Sequence, residues 1–192
     1  MRIMFVCDGN VCRSALCEYL MNEAAAELGL TDVTAASCGL LRLDGIPMDE
    51  RYVRLLAERG VDASAHTSTP FAPRLMTDAD LILTFTDRQL DDILSYAPAA
   101  SRKAYLLDDF ANLCDACAAT GELTAQALGA QAGAEGRLQA VLLAAPFKRP
   151  LLPKPQDITD PHRRDDAVYA EVASMLTDRV RRIALALSGA AA

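Results

Sequence analysis

The chain has 192 residues, a hydrophobic fraction of 52% and a formal net charge of −7. That length and apolar content suffice for a buried core, favour one domain over two and exclude a disordered chain. The acidic balance argues against a nucleic-acid partner, and no apolar run is long enough for a membrane span.

The first element is a short apolar run, Ile3–Val6, which reads as a buried strand. Cys7-Asp8-Gly9-Asn10-Val11-Cys12-Arg13 follows as a tight loop and leads into a helix over Ser14–Leu28. That helix carries Leu16, Tyr19, Leu20 and Leu28 on one side and stops at Gly29. Val33–Ser37 reads as a second strand, Asp49–Arg59 as a helix closed by Gly60, and Asp80–Thr84 as a third strand. Asp87–Tyr96 is helical up to Pro98, and Lys103–Leu107 reads as a fourth strand. Asp109–Gln156 is rich in alanine, carries Cys114 and Cys117, and ends in the proline-spaced Pro146–Pro155. Within it Leu123–Leu128 and Leu138–Leu143 have helical character, broken by Gly129, Gly133 and Gly136. The last helix, about Asp165–Leu187, places Val168, Val172, Met175, Leu176, Val180, Ile183 and Leu187 at helical spacing. Strands alternating with helices predict an α/β fold in three layers, a four-stranded parallel sheet with helices on both faces, plus a helical Ala-rich insert. Ligands in such sheets bind at the carboxyl ends of the strands, where Cys7 falls.

Chemistry concentrates in residues 7–14. A strand, a Gly9-Asn10 turn and a helix start bring a thiol to where unpaired N–H groups and the positive end of a helix dipole converge. The thiolate is the form that those dipoles stabilise. Gly9 and Asn10 tolerate left-handed backbone, Arg13 can curl back as a planar two-donor clamp, and Ser14 can reach the sulfur. A nucleophilic thiolate beneath a phosphate-sized nest suits phosphoryl transfer through a cysteinyl-phosphate. Cys12 and Cys17 also read as small buried hydrophobes. The transfer needs an acid for the leaving oxygen. Asp160, in an Asp-Pro turn pair, competes for that role with Asp157, Asp165 and Asp166 on composition alone.

The stretch Cys7–Ser14 resembles the C-x-G-N-x-C-R-S loop of the low-molecular-weight protein tyrosine phosphatases. The resemblance continues through Ser37-Cys38-Gly39, Gly45-Ile46-Pro47-Met48-Asp49, His66, Ala79–Leu83 and Asp157-Ile158-Thr159-Asp160-Pro161. It covers about residues 1–108 and 156–188 and leaves out the insert at about 109–155. It implies a phosphatase with Cys7 as nucleophile, Arg13 as clamp and Asp160 as general acid, then base. Asp8, Gly9, Asn10, Val11, Cys12, Arg13 and Ser14 would form the phosphate loop, held by a hydrogen-bond network of Asn10, Ser14, Ser37 and His66. Cys12 would capture an oxidised Cys7. No cofactor and no metal are expected, and the partner implied is a phosphorylated protein, with phosphotyrosine favoured. The charge soon after Met1 and six cysteines read as thiols place the expectation in the cytoplasm, without a membrane or nucleic-acid partner.

Four departures bear on the substrate. Ala15 stands where the family commonly has proline, and His162-Arg163-Arg164 stand where it usually has aromatics. Asp8, beside the nucleophile, could repel anions or receive a cationic group. Val11 occupies the position at which protein-arginine phosphatases carry threonine. Arsenate reductases that use the same loop resolve it with cysteines after the third strand, and Thr84–Leu90 contains none. A zinc-binding module built on Cys114 and Cys117 with Cys12 and Cys17 lacks a nearby histidine to complete it. The remaining alternative is a phosphate-sensing domain without turnover.

Overall fold

The computed structural model describes residues 1–129 and 132–190. Four strands, β1 (Arg2–Cys7), β2 (Thr34–Gly39), β3 (Leu81–Thr84) and β4 (Ala104–Leu106), form one parallel sheet in the order β2-β1-β3-β4. Alternate residues of a strand face opposite sides. Ile3 and Phe5 enter a large core with α1 (Arg13–Glu27), while Met4 and Val6 enter a smaller one with α3 (Pro73–Asp78) and α4 (Asp87–Tyr96). Both faces are therefore covered, which is why the strands read as continuous apolar runs.

The remaining helices are α2 (Glu50–Glu58), α5 (Leu107–Ala119), α6 (Ala125–Leu128), α7 (Ala134–Lys148) and α8 (Asp166–Ser188). Tyr169, Val172, Leu176, Val180, Ile183 and Leu187 form the buried stripe of α8, and the Asp165 carboxylate caps its start by accepting from the Val168 N–H at 3.0 Å. The three-layer parallel architecture predicted from the alternation is present.

Three local expectations are corrected. The fourth strand ends at Leu106, and Leu107 opens α5, a helix ahead of the two expected in this segment at Leu123–Leu128 and Leu138–Leu143. Its buried Leu107, Phe110, Ala111, Cys114 and Cys117 recur at helical spacing, and packing against α8 and α7 stabilises it. Likewise, the helix expected over Leu138–Leu143 runs from Ala134 to Lys148 and contains both Gly136 and Pro146. Glycine in a helix costs roughly 1 kcal/mol, which the burial of Leu138 and Val141 offsets. Pro146 falls in the last turn, just before the helix ends. The helix expected over Leu123–Leu128 is the single turn of α6.

Ion pairs tie these helices to the sheet's carboxyl edge. Asp108 pairs with Arg179 of α8 at 3.1 Å and accepts from the Gln156 N–H at 3.0 Å, while Asp109 pairs with Arg149 at 2.8 Å. Arg149 and Gln156 are thus anchored to the first turn of α5, just ahead of the 157–161 loop.

Candidate active site

β1 ends at Cys7, and the chain turns through Asn10 in left-handed backbone (φ 55°) before α1 starts. No side chain caps α1 and no acidic residue stands in its first turn, so its leading N–H groups face the loop. A close approach fixes the loop against β2: a Cβ on Gly39 would lie 2.7 Å from the Asp8 carbonyl oxygen and 3.0 Å from the Asn10 nitrogen. Only glycine fits there.

The Cys7 sulfur accepts from the Asn10 N–H at 3.3 Å and lies 3.0 Å from the Ser14 hydroxyl. Asn10 Nδ2 donates to Ser14 Oγ at 2.9 Å and to Ser37 Oγ at 2.7 Å. With its oxygen so engaged, Ser14 is left with its own proton to aim at the sulfur. The Ser37 hydroxyl donates to Glu18 Oε2 at 2.5 Å. Burial pushes the Glu18 carboxyl up, and the bond from Ser37 partly opposes that. Asn10 Oδ1 accepts from the Thr69 N–H at 2.8 Å, and His66 Nε2 lies 3.1 Å from the Asn10 carbonyl oxygen. A carbonyl only accepts, so His66 carries its proton on Nε2. Every polar group of the buried Asn10 is used, and aspartate could not make the two donations.

Arg13 is buried beneath the ring of Phe85, 5.8 Å from its centroid. One nitrogen donates to the Ile158 carbonyl at 3.0 Å, and the other is shared by Asp8 at 3.1 Å and Asp160 at 2.9 Å. Among the described residues its Nε is buried with no partner, a donor left for an oxyanion. Asp8 also accepts from Arg88 and, at 2.7 Å, from Gln89 Nε2. Burial pushes the Asp8 carboxyl up, but the bonds from Arg88 and Gln89 and the charges of Arg88 and Arg13 outweigh it and hold the group low. The side chain is therefore consumed within the protein and is not free to receive a cationic substrate group.

The 157–161 loop docks through backbone. The Ile158 N–H donates to the Phe85 carbonyl at 2.8 Å, and Asp157 accepts from the Asp87 N–H at 2.9 Å. Asp165 caps α8 and Asp166 pairs with Arg51 at 2.7 Å. Of the four aspartates, Asp160 is the one that reaches Arg13, with its side chain 47% exposed. Cys12 lies buried at the end of the loop, 3.9 Å from the Tyr169 hydroxyl, which donates to Asp49 at 2.6 Å.

Cys114 and Cys117 lie elsewhere. They sit about 10 Å and 15 Å along α5 from its start at the sheet's carboxyl edge, taking 1.5 Å per residue, and both are buried. Among the described residues they form no ligand cluster with Cys12 or Cys17.

Sequence reasoning brings together Cys7, Asn10, Arg13, Ser14, Ser37, His66 and Asp160, and the structure places them around one loop. It passes over Glu18, Thr69, Phe85, Arg88, Gln89 and Tyr169. Arg88 and Gln89 could have been found from one further signal, a polar pair just past a strand whose carboxyl end borders that of β1.

A parallel sheet ending in a cysteine-headed loop at the start of a helix, with the buried arginine of that loop in contact with an Asp-Pro segment, is the arrangement of the cysteine-dependent phosphatases. The sequence profile of the low molecular weight phosphotyrosine protein phosphatase family matches residues 2–119, and the chain belongs to that family. The probable low molecular weight protein-tyrosine-phosphatase EpsP of Ralstonia nicotianae is 33% identical over 107 residues, 56% of this chain and 70% of its own. The protein-arginine-phosphatase of Bacillus subtilis is 33% identical over 110 residues, 57% of this chain and 72% of its own. The solution structure of a low molecular weight protein tyrosine phosphatase from Bacillus subtilis superposes with a TM-score of 0.69 at 24% identity, covering 99% of both chains, and shares the fold. No helix among the described residues is long and apolar enough to cross a membrane.

Proposed function

We propose that this chain hydrolyses phosphotyrosine in proteins through a cysteinyl-phosphate. The observation that carries the reading is the Cys7 sulfur just before α1, held by the Ser14 hydroxyl and the Asn10 N–H, in the same loop as Arg13, whose guanidinium reaches Asp160. Cys7 attacks phosphorus, and the loop amides of residues 8–14 together with Arg13 hold the equatorial oxygens. Asp160 protonates the leaving oxygen, then takes a proton from the water that attacks the cysteinyl-phosphate. Asn10, Ser14, Ser37 and His66 keep the loop in its strained shape. The contacts of α5 and α7 with α8 support one phosphatase domain over residues 1–192, with 109–155 as an insert. The cytoplasm suits a chain whose six cysteines are all free.

The similarity to protein-arginine phosphatases keeps phosphoarginine as the second reading. Against it stand Val11, which has the shape but not the hydroxyl of threonine, and the engaged Asp8. Initial rates on phosphotyrosine, phosphoarginine and phosphoserine peptides, with arsenate reduction alongside, decide the matter. Faster release from phosphoarginine overturns the tyrosine assignment.

An entering phosphate must compete with Asp8 and Asp160 for one guanidinium nitrogen of Arg13. Asp8→Asn removes one competitor and one negative charge beside the nucleophile. Competitive inhibition by inorganic phosphate is expected to tighten about three- to tenfold, roughly 1 kcal/mol. A weaker inhibition constant would show that Asp8 serves instead to orient Arg13.

Peroxide is expected to oxidise Cys7 to the sulfenic acid, and the Cys12 thiol to displace water from it and form a disulfide. Activity then returns with a thiol reductant in the parent but not in Cys12→Ser given the same dose. Mass mapping checks the pairing, and a Cys7 bridge to Cys114 or Cys117 contradicts it.

A further inference from the structure

One cluster of donor side chains takes no part in phosphoryl transfer. The ligand atoms of Cys12, Asp49 and His162 all lie within 4.8 Å of one another at the rim of the site. They come from three elements: the end of the phosphate loop, the first residue before α2, and the loop that carries Asp160. The first two are held together. The Asp49 N–H donates to the Val11 carbonyl at 2.9 Å, and Tyr169 bridges the Asp49 carboxylate and the Cys12 sulfur. His162 is exposed and two residues past Asp160.

We propose that Cys12, Asp49 and His162 bind a divalent cation of the zinc type, and that the bound ion clamps the Asp160 loop against the phosphate loop. One sulfur, one imidazole nitrogen and one carboxylate oxygen is a donor set that suits zinc, with a fourth position left for water. Bonds of about 2.3 Å to sulfur and 2.0–2.2 Å to nitrogen and oxygen put tetrahedral ligands roughly 3.3–3.8 Å apart. The donor atoms lie within 4.8 Å of one another, so closing on an ion takes side-chain movements on the order of 1 Å. On binding, the Cys12 S–H bond breaks, its proton leaves to solvent, and a metal–sulfur bond replaces it. A dication is favoured there, because it places positive charge beside the Asp49 carboxylate. Tyr169 orients the carboxylate, as groups behind metal ligands commonly do. The clamp's effect on turnover rests on the phosphatase reading, whereas binding does not.

Cobalt(II) reports both halves. Titrated into the full-length Cys7→Ser variant, it should give a thiolate-to-cobalt charge-transfer band and four-coordinate visible bands that saturate at one equivalent. The charge-transfer band should vanish when Cys12→Ser is added, and affinity should fall at least about tenfold with His162→Ala, an exposed position. No band in Cys7→Ser, a band surviving Cys12→Ser, or an affinity unmoved by His162→Ala overturns the site. In the parent chain, zinc should inhibit aryl phosphate turnover and a chelator should restore it. Equal inhibition of His162→Ala overturns the clamp. A parent chain without turnover defeats the phosphatase reading alone, since the cobalt spectra still decide binding.

Discussion

Cys7→Ser is expected to reduce turnover of an aryl phosphate by at least about 10⁴-fold, the scale of loss on removing a nucleophile. Phosphate and vanadate should still bind. The amides at the head of α1, the Asn10 network and the Arg13 clamp do not depend on the sulfur: Asn10 is held by Ser37, Thr69 and His66, and Arg13 by Ile158 and Asp8. Arg13→Lys is the complementary experiment. A lysine ammonium is a point charge that cannot donate to Ile158 and to an oxyanion in one plane, so turnover and anion binding should fall together, by about 10²–10³-fold in rate. Single-turnover kinetics with equilibrium vanadate binding checks both variants. Substantial turnover in Cys7→Ser places the nucleophile elsewhere, and intact vanadate binding in Arg13→Lys removes the arginine from the phosphate site.

Asp160→Asn should slow hydrolysis by about 10²–10³-fold for a leaving group as basic as tyrosine and by less than about tenfold for an activated aryl phosphate. The difference arises because a good leaving group departs without a proton. Asparagine keeps the size of the side chain and can still lie beside Arg13, so positional effects are small and the proton is what changes. The plot of log rate against leaving-group pKa should therefore steepen in the variant. An equal loss across leaving groups would point to positioning of Arg13 as the role of Asp160. Parallel measurement of Asp157→Asn is informative because that carboxylate caps α4 through the Asp87 N–H. Its loss should loosen the loop and affect all leaving groups alike.

Much of this molecule is legible in the order of its residues. Ile3–Val6 ahead of Gly9-Asn10 and a helical stretch is a local pattern, and local patterns are set by backbone sterics and hydrophobic periodicity that neighbouring residues supply. The strand-loop-helix unit, the alternation that makes a parallel sheet, and the motif carrying Cys7, Arg13 and Ser14 all follow from it. So does α5 in retrospect, since Leu107, Phe110, Ala111 and Cys114 have helical spacing.

What the sequence left open is what depends on which strand lies beside which. The order β2-β1-β3-β4 puts the segment after β3 next to the Cys7 loop, so that Arg88 and Gln89 reach Asp8 across 80 and 81 positions of chain. The same order sets Ser37 of β2 against Asn10, from which its hydroxyl accepts while donating to Glu18. Among Asp157, Asp160, Asp165 and Asp166, composition gives no ranking. Three are occupied by a helix cap or an ion pair, and the fold brings Asp160 to Arg13. The convergence of Cys12, Asp49 and His162 is likewise invisible in one dimension. The sequence by itself determined the elements and the loop that holds the nucleophile, because these rest on short-range sterics and periodicity. The partners of that loop were decided by tertiary structure, because hydrogen bonds and ion pairs act over a few ångströms of space regardless of separation along the chain.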